Sequence, residues 1–313
     1  MIANKKILLL ILLICVFTTT IVAQSNRSLP FLEINSDTRT SGMGNTNMGE
    51  SESMYLYTNP TSIFYKEDKL YCSYSIGVYP EIENNSQLFH TVSAGFKLAD
   101  KHALLIGLRS LSGYEVISMD EEGGLESLYP TDKAIDLAYA LQITPNFSTY
   151  IGGSYIHSDL GKAATTLGLN AGAYYHHQYQ THSNYGYYTL GISINDLGGK
   201  VKYGNDGNGN PLPTSIGLGG SLLFPFHNDH SINVGLTSRY YMLPSNASEL
   251  STGLGLEYEL FNTVSLRTGY YWSKEINYLT IGLGCNIKFL RLDAAFQKGD
   301  LNNLYQLGAH FQF

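Results

Sequence analysis

Few residues in this chain are able to do chemistry, and none of their spacings completes a catalytic set. Gly217 and Gly219, Gly253 and Gly255, and Gly282 and Gly284 form Gly-x-Gly runs of the kind found in nucleotide loops. A dinucleotide fingerprint, however, needs a strand, then the glycine turn, then a helix whose amides meet the phosphates. These glycines alternate with Leu218, Leu254 and Leu283 inside apolar stretches, which is the pattern of a strand. Inward glycines there relieve crowding and permit curvature. Asp206-Gly207-Asn208-Gly209-Asn210 opens like a calcium loop, but Pro211 stands where Gly is needed and Gly217 where the closing Glu is needed. It reads as an outer loop. His176, His177 and His182 have no acidic or Cys partner at ligand spacing, so rim positions suit them better than a metal site. No Gly-x-Ser-x-Gly elbow and no His-x-Ser pair occurs. The sequence therefore predicts no enzyme, no cofactor and no bound metal.

Composition points to the elements that must hold these residues. Only 14% of the 313 residues are charged, well below the quarter or so of a soluble domain. Mean hydropathy is nevertheless −0.09, which does not suit a bundle of membrane helices. Tyr (25) and Gly (32) are abundant. Low charge with many Tyr and Gly fits a transmembrane β-barrel with an apolar outside, a polar lumen and aromatic girdles. A net charge of −7 offers no basic patch for phosphates, so nucleic acid is excluded as a partner.

The N-terminus reads as a secretory signal peptide. Lys5 and Lys6 form its positive end, Ile7 to Phe17 its apolar stretch, and Ile21-Val22-Ala23 leads to a cut ahead of Gln24. Thr18-Thr19-Thr20 interrupts the run before it is long enough to span a bilayer. Cys15 lies inside this segment, so the mature chain keeps Cys72 and Cys285. Both fall on the apolar set of a predicted strand and read as packed thiols, although export permits a disulfide.

From Leu70 to Phe313 the chain repeats stretches of about ten alternating residues. Ile135, Leu137, Tyr139 and Leu141 alternate with Asp136, Ala138, Ala140 and Gln142. Leu254, Leu256, Tyr258 and Leu260 alternate with Gly255, Glu257 and Glu259. A period of two gives each set its own face. Glu257, Glu259, Arg267, Arg291 and Asp293 cannot face lipid, so they are predicted to face a lumen. About fourteen strands follow, starting near residues 70, 88, 102, 133, 147, 164, 186, 215, 230, 250, 263, 278, 289 and 303. Connections after even-numbered strands are tight, as at Ala99-Asp100-Lys101, Thr144-Pro145-Asn146 and Phe261-Asn262; a seven-residue stretch from Gln180 is the exception. Those after odd-numbered strands are longer, notably Ser112 to Thr131, which carries the acidic run Asp120-Glu121-Glu122, and Gly198 to Pro213. Short periplasmic turns and long outer loops are the pattern of such barrels, and the parity puts both termini on the periplasmic side.

The chain thus divides into a signal peptide (1–23), a segment that does not alternate (24–68) and an all-β transmembrane barrel (69–313). The middle segment is predicted to be a hatch or plug. Within it Asp37 and Arg39, two apart, are placed to pair with luminal charges such as Arg291 and Asp293, while Gly42 and Gly44 permit a tight backbone path.

Phe31 to Gly44, with its Asp37-Thr38-Arg39-Thr40-Ser41-Gly42-Met43-Gly44 core, resembles the PorV/PorQ family of outer-membrane proteins of the type IX secretion system. So does Tyr57-Thr58-Asn59-Pro60-Thr61, with Thr61 where the family pattern has Ala, and so does the run from Gly255 to Tyr270. The resemblance implies a barrel like that of the FadL fatty-acid channels, in a non-enzymatic role that binds a secretion translocon or secreted cargo. The kinship with FadL implies an alternative, a transporter of small hydrophobic compounds. The polar lumen set favours protein binding. Tyr305, Phe311 and Phe313 resemble the terminal-strand signal read by the barrel-assembly machinery. Outer-membrane lipid is the remaining expected partner. N-terminal sequencing of the protein recovered from outer membranes should read from Gln24; a chain starting at Met1 would overturn the cleavage site.

Overall fold

The computed structural model describes residues 27–82, 85–112, 115–119, 125–181, 184–204, 209–227, 229–299 and 303–313. The signal peptide and its cut, the run Asp120-Glu121-Glu122, His182 and the residues Asp206 to Asn208 lie outside them.

The alternating stretches form a closed antiparallel barrel of fourteen strands. They are β1 (Leu70–Ile82), β2 (Asn85–Ala99), β3 (His102–Ser112), β4 (Thr131–Thr144), β5 (Phe147–Asp159), β6 (Ala163–Gln180) and β7 (Tyr185–Gly198), followed by β8 (Ser215–His227), β9 (His230–Tyr241), β10 (Glu249–Leu260), β11 (Val264–Trp272), β12 (Asn277–Ile287), β13 (Leu290–Gly299) and β14 (Asn303–Gln312). The widest departure from the predicted starts is β2, which begins at Asn85. Each strand pairs with its sequence neighbours, and β1 closes the ring on β14, with Tyr71 opposite Gln312 and Val78 opposite Tyr305. Closure is what membrane strands require, because an open edge would leave amides and carbonyls unpaired in hydrocarbon.

The two faces separate as the alternation dictates. Leu104, Ile106 and Leu108 on β3, and Ile135 and Leu137 on β4, stand about half exposed on the outer wall. Such a continuous apolar surface would be a liability in water and is the solvent match for lipid. Phe226, Tyr258, Phe261, Phe289 and Phe313 gather near the short-turn rim, and Tyr155, Tyr240, Tyr270 and Trp272 sit toward the other, as girdles. Cys72 and Cys285 are free thiols on this wall, with β13 and β14 between their strands.

A turn of at most four residues follows every even-numbered strand, as expected, but among the odd-numbered strands only β3, β7 and β9 lead into longer connections, while β1, β5, β11 and β13 turn within two to four residues. The stretch after β6 spans only residues 181–184, because β6 and β7 run further than expected and Thr181 N donates to Asn184 O at 2.8 Å to close the turn. Two long loops carry small ladders of their own, Val116–Met119 with Leu125–Leu128, and Lys200–Val201 with Asn210–Pro211.

The segment before β1 occupies the lumen. Short turns at Pro30–Glu33, Thr38–Ser41, Tyr55–Tyr57 and Pro60–Tyr65 place Phe31, Met43, Met48, Met54, Tyr55 and Ile63 in full burial. One expectation about chain direction is overturned. The C-terminus does end at the short-turn rim, where Phe313 O accepts from Lys69 and Leu70. Arg27 and Ser28, however, lie at the long-loop end. Arg27 donates to Ala247 O at 3.0 Å and Ser28 to Pro211 O at 2.6 Å. The reason is electrostatic. Arg27 is held by Glu33 and Glu249 and lies 4.4 Å above the Tyr241 ring. The described hatch therefore starts at the outer mouth and descends through the barrel before β1 begins.

Closure makes a prediction. Cys72 and Phe311 are directly opposed across the β1–β14 seam, within a small adjustment of disulfide reach. Phe311→Cys should form an oxidant-dependent intrachain disulfide with Cys72, read as a mobility shift in the folded protein. Leu307→Cys, opposite Ile76, should form none.

Candidate functional site

The hatch is built to touch the wall closely. Asp37 caps the turn Thr38–Ser41, accepting from Thr40 N at 2.9 Å and from the Ser53 hydroxyl. Burial pushes the Asp37 carboxyl above its ordinary range, against the lowering pull of the Ser53 hydroxyl and the Thr40 amide. The chain then runs through Gly42-Met43-Gly44 across the inner faces of β10, β11 and β12. Gly44 takes φ +66, and a Cβ there would stand 2.6 Å from Leu254 O and 2.8 Å from Tyr270 N. Its amide donates to Thr280 Oγ1 at 2.9 Å. Only glycine meets both demands. The wall answers with glycines of its own: side chains at Gly253, Gly255 or Gly269 would collide with the backbone of Met43 or Gly44. The Gly-x-Gly runs thus form a track for the hatch rather than a nucleotide loop.

Charges pin that track at the short-turn half of the lumen. Arg39 donates from both Nε and Nη2 to Glu257 and from Nη1 to Glu50 O at 3.1 Å. Glu257 also accepts from Arg267 at 2.7 Å and from Arg291 at 3.3 Å. Arg267 reaches across β12 to Asp293, at 2.7 Å, over Gly284, where any side chain would block the guanidinium. Arg291 pairs with Asp293 at 3.2 Å and with Glu52 of the hatch. Burial opposes charge on Glu52, but Arg291 and Arg39 outweigh it and hold the carboxyl well below the usual range. Three guanidiniums and three carboxylates are thus desolvated together. Such a network adds little net stability over apolar packing, but removing one member strands the rest.

A second pair lies higher in the lumen. Arg109 forks onto Asp136 at 2.9 and 2.8 Å, and the hatch residue Tyr57 donates to the same carboxylate at 2.8 Å. Asn59 caps the turn that Pro60 opens, accepting from Thr61 N at 3.0 Å and donating to Gly49 O at 3.1 Å.

The predicted residues therefore scatter in role. Arg39 meets the luminal cluster, while Asp37 forms no ion pair among the described residues and serves as a cap. Glu259, opposite Ser231 and Ser265, holds an inward place near the short-turn rim and makes no ion pair among the described residues. Tyr305, Phe311 and Phe313 lie on the outer face, with Phe313 stacked 6.1 Å from Phe289. His177 sits on the outer wall against Tyr175 and Tyr188, but His176 faces the lumen, stacked 3.9 Å from Tyr65 and 3.3 Å from Glu50. That correction has a simple cause: the alternation of β6 that puts Tyr175 and His177 on the outer wall carries His176 inward, and the irregular hatch brings Glu50 to it. Glu50, Glu52, Arg109 and Asp136 were not singled out by sequence. The two strand residues hold inward places in the alternation and were findable. The two hatch residues lie in irregular chain and carried no signal.

A closed barrel with an apolar wall, aromatic rims and a charge-pinned hatch defines an outer-membrane protein. The family model described as "Type IX secretion system protein PorV" matches residues 20–248. The chain belongs to that family. Among solved structures the fold is similar to a Pseudomonas putida toluene transporter, TodX (TM-score 0.59, 13% identity, covering 88% of this chain and 97% of that one). It is also similar to a Ralstonia pickettii toluene transporter, TbuX (0.56, 13%, 88% and 98%), and to a Pseudomonas aeruginosa FadL homologue (0.53, 12%, 89% and 98%). At these identities the likeness shows the fold alone. Comparison with curated proteins gives no significant match.

Breaking a buried pair by removing one partner costs about 3–5 kcal/mol. Arg39→Ala should therefore release the hatch while the barrel stays closed. In planar bilayers its ion conductance should rise several-fold over the parent, with unchanged heat-modifiable mobility in gels. Equal conductance would mean that Arg39 does not pin the hatch.

Proposed function

We propose that this barrel is a protein-binding component of a type IX secretion system, engaging the translocon or secreted cargo through its long loops and rim, and that it does no catalysis. The observation that carries the reading is the hatch that plugs the lumen. The hatch is tied to the wall by Arg39, Glu52 and Glu257 and packs its Met and aromatic side chains into the remaining space. A route for hydrophobic compounds calls for an apolar lining, whereas the inner wall here presents Asp136, Glu257, Arg267, Arg291 and Asp293.

The long-loop side supplies surface for a partner. Its ladder Val116–Met119 with Leu125–Leu128 forms a sheet separate from the barrel, with Ile117 on it and Tyr129 just after it strongly exposed. Apolar side chains exposed in water on a small hairpin are the kind of anchor that protein interfaces use. Export with a cleaved signal peptide and assembly by recognition of Tyr305, Phe311 and Phe313 complete the reading.

The test is affinity purification of the tagged protein from detergent-extracted membranes. It should co-purify a large translocon barrel or secreted proteins, and Ile117→Asp with Tyr129→Ser should reduce that recovery about tenfold or more, as loss of hot-spot anchors does. Recovery of neither, together with impaired growth of a deletion strain on hydrophobic carbon sources, would favour transport instead.

A further inference from the structure

On the outer side of the hatch the lumen is not completely filled. A chamber of about 110 Å³ lies between the turn at Leu32–Ser36, the hatch residues Asn45 to Met48 and the inner wall. A single water needs roughly 10–15 Å³ of such space. The chamber therefore has room for a cluster of waters or one small molecule.

Its lining is rich in groups that both donate and accept hydrogen bonds. The amides of Asn47, Asn170 and Asn195 and the phenols of Tyr150, Tyr174 and Tyr271 border it. Every one of these groups offers both a donor and an acceptor. Some polar atoms here are unmatched. Arg239 Nε and Asn47 Oδ1 are buried without a hydrogen-bond partner among the described residues. The Asp196 carboxylate receives no hydrogen bond among the described residues and lies in the fields of Arg109 and Arg239.

The backbone is bent to bring Asp196 there. Between the pairs Leu169↔Leu197 and Ala171↔Ile194 the register of β6 and β7 shifts, so Asn170 opposes both Asn195 and Asp196. Asp196 takes φ 53, in the left-handed region. Regular alternation after Ile192 and Ile194 would aim Asp196 at lipid. The bulge turns two successive polar residues inward and returns Leu197 to the outer wall, where it is 47% exposed. Bulges commonly re-aim a side chain beside a site.

We propose that this chamber binds a neutral, hydroxyl-rich molecule of about monosaccharide size. Each carboxylate of the lining is offset by a guanidinium, Asp136 by Arg109, Glu33 by Arg27 behind it and Asp196 by the field of Arg239, so they call for no ionic ligand. A carboxylate and a guanidinium each engage adjacent hydroxyls through two atoms. Amides and phenols complement hydroxyls, which likewise donate and accept, and the Tyr rings offer apolar surface to the C–H faces of a sugar ring. A hydrocarbon in the same space would leave Arg239 Nε and Asn47 Oδ1 buried and unanswered. The proposal goes beyond the secretion role and does not depend on it.

Isothermal titration of the detergent-solubilised mature protein with D-glucose, D-galactose and D-mannose tests it, with glycine and toluene as comparators. At least one hexose should bind saturably in the millimolar range or tighter, and glycine and toluene should not. Asp196→Asn and Arg239→Gln should each weaken that binding about tenfold or more, as loss of a hydrogen bond to a charged group does. Tyr271→Phe, which removes one hydroxyl and no charge, should weaken it several-fold and serves if the charge variants fail to fold. Saturable binding of glycine or toluene instead, absence of hexose binding by the folded protein, or unchanged affinity in the folded variants would each overturn the proposal.

Discussion

A polypeptide that crosses a bilayer as strands must pair every amide and carbonyl with another strand, since hydrocarbon offers no substitute. In this protein that requirement is met only when β1 finds β14, more than two hundred residues away in sequence. Everything else follows from the resulting tube. Its outer face has to be apolar at every second residue, and its inner face is thereby released from contact with lipid. That released face can then carry glycines, hydroxyls and ionised groups that no lipid-exposed position would tolerate.

The inner face uses this freedom in two complementary ways. Where the wall is glycine, the hatch backbone approaches closely, as Met43 and Gly44 do against Gly253, Gly255 and Gly269. Where the wall is charged, the hatch is held by direction as well as distance, as Arg39 is by Glu257. Gly284 joins the two devices, because its missing side chain is what lets Arg267 reach Asp293. Packing supplies contact that is indifferent to angle, while the ion pairs fix orientation. The combination explains how an irregular segment with little regular secondary structure can sit in one place.

The same tube that resembles hydrocarbon channels in outline differs from a hydrocarbon path in its lining. Fold alone does not carry function from one barrel to another. The chemistry of the lumen here is that of a fixed, desolvated ion cluster below and a polar chamber above. The loops, rather than the bore, offer apolar surface of the kind a protein partner would cover. The FadL-like outline and the secretion family are thus compatible: one describes the scaffold, the other the family to which the chain belongs.

The sequence by itself determined the barrel. A period of two is local, so Leu254 to Leu260 or Ile135 to Leu141 could be assigned to lipid, and Glu257, Arg267, Arg291 and Asp293 to the lumen, without knowing a single contact. Turn lengths are also local, which made the tight turns of one rim and the long loops after β3 and β7 legible. What only the tertiary structure decided were the partners. Which carboxylate Arg39 meets, that Asp37 caps a turn instead of pairing across the lumen, and that Glu52 joins the cluster all depend on the path of an aperiodic segment. The same holds for Arg27 at the outer mouth and for Asp196, whose inward aim comes from a bulge that breaks the very alternation used to read the strand. Periodicity fixes a residue's face; it does not fix who stands opposite. That depends on register and on long-range closure, which no local pattern encodes.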